Sequence, residues 1–297
     1  MPPPGSPEAM TASPLPLSRF SGPLSGLLSS LLRVATLVLG AGAAAGAIAA
    51  PTIVEWTAPT GARVHFVESR ALPMVDIQVS FAAGGALDPE GKAGLASMTQ
   101  ALLDAGAGGL DEQTIADRKA DLGVAVSGGT DNDRASLALR SLSSAAELDA
   151  AVELAATLLA RPDFPADVLE RERSRAIAGL REALTKPATL AARQFNAALY
   201  AGHPYGHDST PESLAAIGRE DLIDFHRLHY GARRAAVAIV GDVDRAAAER
   251  IAIRLTADLP ATEAAAPLPA PAPTTAQVFR IPHPSAQAHI LVGQPGM

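Results

Sequence analysis

Seven histidines are the side chains best suited to hold a metal or move a proton in this chain of 297 residues: His65, His203, His207, His226, His229, His283 and His289. Neutral imidazole is a good zinc ligand, so their spacing decides what they could do together. His203 and His207 stand four apart, but Pro204 and Gly206 forbid the helix that would put both rings on one face. His226 and His229 lie three apart in a helical stretch and could offer two ligands. A four-histidine zinc site would need the two pairs to meet, and nothing in the sequence brings them together. Asp131 and Asp133 flank Asn132 where a turn precedes a strand, a usual place for short polar residues. The glycine and distal glutamate of a calcium loop are missing there. Glu170, Glu172 and Glu182 share their stretch with Arg171, Arg173, Arg175 and Arg181, which reads as a solvated, salt-bridged helix face. Ser97 and Ser143 lack the flanking glycines of a nucleophile elbow. There is no cysteine, which excludes disulfides, cysteine-ligated zinc and thiol catalysis. On residue chemistry alone, no active site declares itself.

The elements that would position such residues come from a chain able to fold. Hydrophobic residues make up 48% and charged residues 19%, outside the disordered range. The length allows one large domain or two modest ones. The net charge is −7, with no block of Lys or Arg, which argues against a nucleic-acid partner. Aromatics are only 4%, and the wealth of Ala, Gly and Pro weakens propensity arguments.

The N-terminus reads as an address. Arg19 and Arg33 precede the apolar run Ala35–Ala49, which closes on Ala47-Ile48-Ala49 before Ala50-Pro51. A basic region, an apolar run and a small-x-small ending predict a signal peptide over residues 1–50 and an exported, periplasmic protein. The alternative is an uncleaved membrane anchor, since the run approaches spanning length. Cleavage would leave no stable membrane span.

Strands are expected at Ile53–Thr57, Arg63–Glu68, Val75–Phe81, Ala125–Gly128, Ala135–Leu142 and Ala235–Val240, from period-two alternation or short apolar runs. Helices are expected at Gly91–Ala105, Asp111–Leu122, Ala145–Leu159, Pro165–Leu184, Leu190–Tyr200, Asp221–Leu228 and Ala246–Leu255, with Asp111 as an N-cap. The fold class is α+β, a mixed, mostly antiparallel sheet with helices packed on one side. The domain spans 51–259, and residues 260–275 form a Pro/Ala-rich linker. Val278–Ile281 and His289–Val292 read as two further strands, so 276–297 is expected to open a truncated second domain.

Residues 52–259 resemble the first domain of the M16 metallopeptidases, the insulinase, pitrilysin and mitochondrial processing peptidase family. The likeness runs in order through the strand Arg63–Glu68 ahead of Val75–Phe81, then Ala82-Ala83-Gly84-Gly85-Ala86-Leu87-Asp88-Pro89 and Gly91-Lys92-Ala93-Gly94-Leu95-Ala96. It continues through Phe164-Pro165, His203-Pro204-Tyr205-Gly206, His229-Tyr230 and Ala238-Ile239-Val240-Gly241-Asp242-Val243. Ser285–Met297, with Gly293-Gln294-Pro295-Gly296, resembles the opening of the family's second domain, which would need roughly 150 further residues.

The chain departs from the family at its chemistry. Active members carry His-x-x-Glu-His after the Gly-Leu-Ala of the first helix, with two zinc ligands and a glutamate base. Here Ser97 and Ala101 stand at the histidine positions and Gln100 at the glutamate position. The family's third ligand, a later glutamate, aligns with Gly179, one turn from Glu182. The resemblance therefore implies a non-catalytic homologue with no catalytic residue, metal ligand or cofactor of its own, zinc belonging to active relatives. It implies a subunit that pairs with an active M16 chain and helps bind a peptide or unfolded polypeptide. Two alternatives are an active zinc endopeptidase with displaced ligands from His203, His207, His226 or His229, and a stand-alone peptide-binding or scaffold domain.

Overall fold

Period-two alternation puts one face of each strand indoors. The computed structural model describes residues 52–263 and 266–294. The expected signal peptide over residues 1–50 lies outside them, as do Pro295 and Gly296 of the terminal motif. Strands β1 (Val54–Thr57), β2 (Arg63–Glu68), β3 (Met74–Phe81), β6 (Ala125–Thr130), β7 (Ala135–Leu142) and β8 (Ala235–Gly241) form one sheet in the order β1-β2-β8-β3-β7-β6. Every neighbouring pair is antiparallel except β2 with β8. A separate two-stranded ribbon joins β4 (Gly106–Ala107) to β5 (Leu110–Asp111). The first hairpin turns at Pro59-Thr60-Gly61, where Gly61 takes φ +92° and its N–H donates to the Ala58 carbonyl at 2.8 Å.

Val75, Ile77, Val79 and Phe81 of β3 are buried, as are Leu137 and Leu139 of β7 and Val237 and Ile239 of β8. The helices cover this face: α1 (Leu95–Ala101), α2 (Glu112–Asp121), α3 (Ala145–Ala160), α7 (Arg219–His229) and α8 (Arg245–Thr256). Alanines Ala151 and Ala155 of α3 and Ala248 and Ala252 of α8 are fully buried where those two helices pack. Small side chains allow close approach, which gives the Ala-rich composition a structural use. On the open face Asp76 and Arg140 sit opposite each other, and the guanidinium donates to both carboxylate oxygens at 2.6 and 2.9 Å. The long α4 (Ala166–Ala183) and α5 (Pro187–Leu199) lie at the margin, where α4 buries only Val168 and Leu169 and α5 buries no residue fully. A short α6 (Pro211–Ala215) is closed by a capping box between Thr210 and Ser213.

Two expectations differ from the structure. The helix expected over Gly91–Ala105 is confined to Leu95–Ala101. Gly94 at φ +106° ends the loop before it, and Leu102 to Asp104 turn towards the β4–β5 ribbon. The expected strands Val278–Ile281 and His289–Val292 are neither strand nor helix. Both leave large apolar side chains exposed, Val278 at 83% and Val292 at 91%, and among the described residues no strand pairs with them. Among the described residues no helix is long and apolar enough to cross a membrane.

Candidate functional site

Helix α1 holds three of the four positions that the sequence resemblance matches to the family's zinc chemistry, and its start is fixed from outside. The Asp88 carboxylate accepts hydrogen bonds from Gly94 N and Ala96 N, each at 2.7 Å, and so satisfies donors that a helix start leaves free. Burial pushes the Asp88 pKa up, against the backbone donors that pull it down. Lys92 pairs with Asp221 of α7, and the Ser213 hydroxyl donates to the Ala93 carbonyl at 2.8 Å. The loop carrying the glycines is thereby tied to α6 and α7.

Ser97 and Ala101 are exposed and one turn apart on α1. Gln100 between them lies against the sheet, its amide reaching the Ser136 carbonyl at 3.4 Å. A Cβ on Gly128 of β6 would stand 2.0 Å from that amide nitrogen and 2.5 Å from the Ser136 carbonyl oxygen, so Gln100 as placed uses the space the glycine leaves. Gly179 is exposed on α4, and a Cβ there would meet nothing within 4 Å. Glu182 pairs with Lys186 at 3.1 Å. Glu170 pairs with Arg173, and Glu172 with Arg175 at 2.7 Å, as a solvated helix face does. A hydroxyl, an amide, a methyl and a hydrogen do not make a zinc site. Among the described residues no three His, Cys, Asp or Glu side chains come together as metal ligands.

The histidine pairs are not assembled either. His203 is buried, its Nε2 beside the Pro269 carbonyl at 2.9 Å and its Nδ1 accepting from Tyr205 N at 3.1 Å. His207 is exposed. His226 is buried with Nε2 donating to the Leu159 carbonyl at 2.8 Å, and its ring stacks on Tyr230 with centroids 4.9 Å apart. Burial lowers the His226 pKa, and burial with the nearby Arg234 charge pushes His229 down to about 4. Both therefore resist a proton that the unfolded chain accepts near its ordinary value of about 6.5. The unfolded state binds more protons across that interval, so stability is complete above pH 6.5 and falls as the pH drops towards 4. Urea midpoints measured from pH 7.5 to 5 should fall, and His229→Gln should flatten the fall. An unchanged slope in that variant would refute the assignment.

The expected turn at Asp131 and Asp133 is present: the Asp131 carboxylate accepts from the backbone N–H of Asp133 and of Arg134, each at 2.7 Å. Beside it lies a cleft of about 620 Å³ that the sequence did not announce. Arg63 opens β2, and Arg134 and Arg234 immediately precede β7 and just before β8 respectively. Ala135 and Ala235 pair with Phe81 from opposite sides, so Arg134 and Arg234 flank the end of β3. Arg63 faces Ala236 one strand further on. All three arginines line the cleft with His65, Asp133 and Tyr205, whose hydroxyl donates to Asp133 and whose pKa rises to about 12. The available signal was three arginines at three strand starts, visible only once the strand order is known.

The six-stranded sheet with helices on one face is an M16-type domain. A family model described as the peptidase M16 inactive domain matches residues 216–297. The structure of a peptidase M16 inactive domain from Pseudomonas fluorescens is similar at TM-score 0.74 and 36% identity, over 76% of this chain and 55% of that one. A protease from Helicobacter pylori is similar at TM-score 0.66 and 21% identity, over 75% of this chain and 54% of that one. The periplasmic protease PqqL from Escherichia coli matches at TM-score 0.66 and 15% identity, over 77% of this chain and 26% of that one. Nothing among the curated proteins matches the chain. Residues 216–297 thus match the M16 inactive-domain model and the fold is that of M16 peptidase-family structures, while the chain spans about half the length of the first two solved proteins.

Proposed function

We propose that this is a non-catalytic M16 chain that is exported to the periplasm, pairs with an active zinc-bearing M16 chain and helps hold the peptide being cut. One observation carries the reading: Ser97, Gln100, Ala101 and Gly179 stand where two ligands, a base and a third ligand would be, and none has the chemistry for its place. The loss is joint, while the surroundings are intact, with α1 capped by Asp88 and packed on β6 and β7. A fold kept whole around an emptied site points to use of the surface rather than of the metal. Export rests on the sequence of residues 1–50.

Co-expression with the zinc-bearing M16 chain of the same cell tests this. A stable complex should form, and peptide hydrolysis should require the partner's zinc and rise when this chain is added. A partner equally active alone, with no complex by size exclusion, would sink the pairing. The stand-alone peptide-binding reading has one supporting feature, the edge strand β6, whose outer side has no strand neighbour among the described residues. A chain that binds extended peptides without any partner would favour it.

A further inference from the structure

We propose that the arginine-lined cleft at the end of β3 receives acidic peptide segments, their carboxylates taken by Arg63, Arg134 and Arg234. The inference rests on the peptide-binding reading above and gives it a substrate class.

The cleft is basic in an acidic chain. Net charge is −7 overall, yet three guanidinium groups converge here from β2 and from the residues just before β7 and β8. The opposing charges facing it are few. Asp133 is engaged by the Tyr205 hydroxyl, the Asp131 carboxylate by two backbone N–H groups, and Glu55 by His65 at 3.1 Å. Glu263 sits 3.6 Å from Arg233, a residue outside the cleft lining. Arg234 spends its Nε on the Glu263 carbonyl at 3.0 Å, with one terminal nitrogen beside His229 at 3.4 Å. Arg63 and Arg134 have no acidic or hydrogen-bonding side-chain partner among the described residues, and both are exposed. Guanidinium groups held without a carboxylate are free to bind one, in the forked geometry that suits it.

The shape suits a peptide better than a single small anion. From β2 to β7 the cleft crosses three strand spacings, about 14 Å. Its walls mix the cations with Ser80 and Asn132 and with apolar Leu87 and Leu268. Acidic side chains would find the arginines, and the segment between them would rest on the apolar wall.

The test uses the full chain and labelled peptides of equal length: one rich in Asp and Glu, one neutral and one rich in Lys, read by fluorescence anisotropy. The acidic peptide should bind at least about tenfold more tightly than the neutral one, with the advantage shrinking as salt rises. Arg63→Ala with Arg134→Ala should remove about tenfold of that affinity, while Arg63→Lys with Arg134→Lys should keep part of it. Unchanged thermal melting of both variants would show that the fold is intact. Equal binding of acidic and neutral peptides, or an acidic preference that survives the double alanine variant, overturns the inference. So does displacement by inorganic phosphate as effective as by unlabelled peptide, which would make this a bare anion site. Neutral-peptide binding without acidic preference leaves the reading above standing while this one falls. Arginine-dependent acidic binding with no zinc-bearing partner does the reverse.

Discussion

Purified chain incubated with zinc should retain no more than background metal, and a site should return in steps as the family's side chains are restored. Ser97→His with Ala101→His places two imidazoles on the exposed side of α1, one turn apart, and should bind zinc weakly. Adding Gln100→Glu and Gly179→Glu should tighten binding by more than about tenfold, or about 1.4 kcal/mol. The structure favours the second glutamate, since a Cβ at residue 179 meets nothing within 4 Å. It opposes the first, because Gln100 directs its amide at the Ser136 carbonyl and a carboxylate cannot donate there. Some stability should therefore be lost together with the gain in metal. Isothermal titration and metal content per chain read the series directly. One zinc per wild-type chain, surviving Ser97→Ala and Gln100→Ala, would place the metal elsewhere and end the inactive-homologue reading.

The second large effect lies in the core. Phe81 closes β3, is 1% exposed, and packs its ring 4.8 Å from that of Tyr230, centroid to centroid. It is in register with Ala135 on one side and Ala235 on the other, two small residues that leave its ring room. Phe81→Ala should cost about 3–5 kcal/mol, from lost burial and the cavity left behind. Against a total stability of about 5–15 kcal/mol, much of the folded population would be at risk. Gln78→Ala on the open face of the same strand should change stability by no more than about 0.5 kcal/mol. Urea unfolding of both variants decides the matter. A loss below about 1 kcal/mol at Phe81 would mean that the helix-covered face is not the core.

Strands β2 and β7 could be read to the residue, because one buried face imposes a strict alternation on both. The interior of α3 was equally legible, since its apolar positions recur at helical spacing. Helix α1 was read too long because Leu95, Met98 and Leu102 carry a helical pattern that Gly94, at φ +106°, cuts short on one side. The apolar runs after residue 276 look like strands, but a strand is a relation between two segments, and its partner is not in the described chain. At the site, the side chains of Ser97, Gln100, Ala101 and Gly179 are ordinary, and only the family likeness gives their places a meaning. The arginine cleft was illegible for a different reason. Its residues come from positions 63, 134 and 234, and the strand order that unites them cannot be read from any local pattern.

That strand order also sets when the fold can exist. β8 lies between β2 and β3, so Arg63 waits for Ala236, roughly 170 positions later, to gain its neighbour. At ribosomal rates of roughly 5–20 residues per second, that wait is on the order of ten seconds or more. Until then the nascent chain can make only two fragments, β1–β2 and β3–β7–β6, each ending in a bare hydrogen-bonding edge. Insertion of the last strand joins them, so a chain stopped before residue 235 holds two half-sheets and no continuous core.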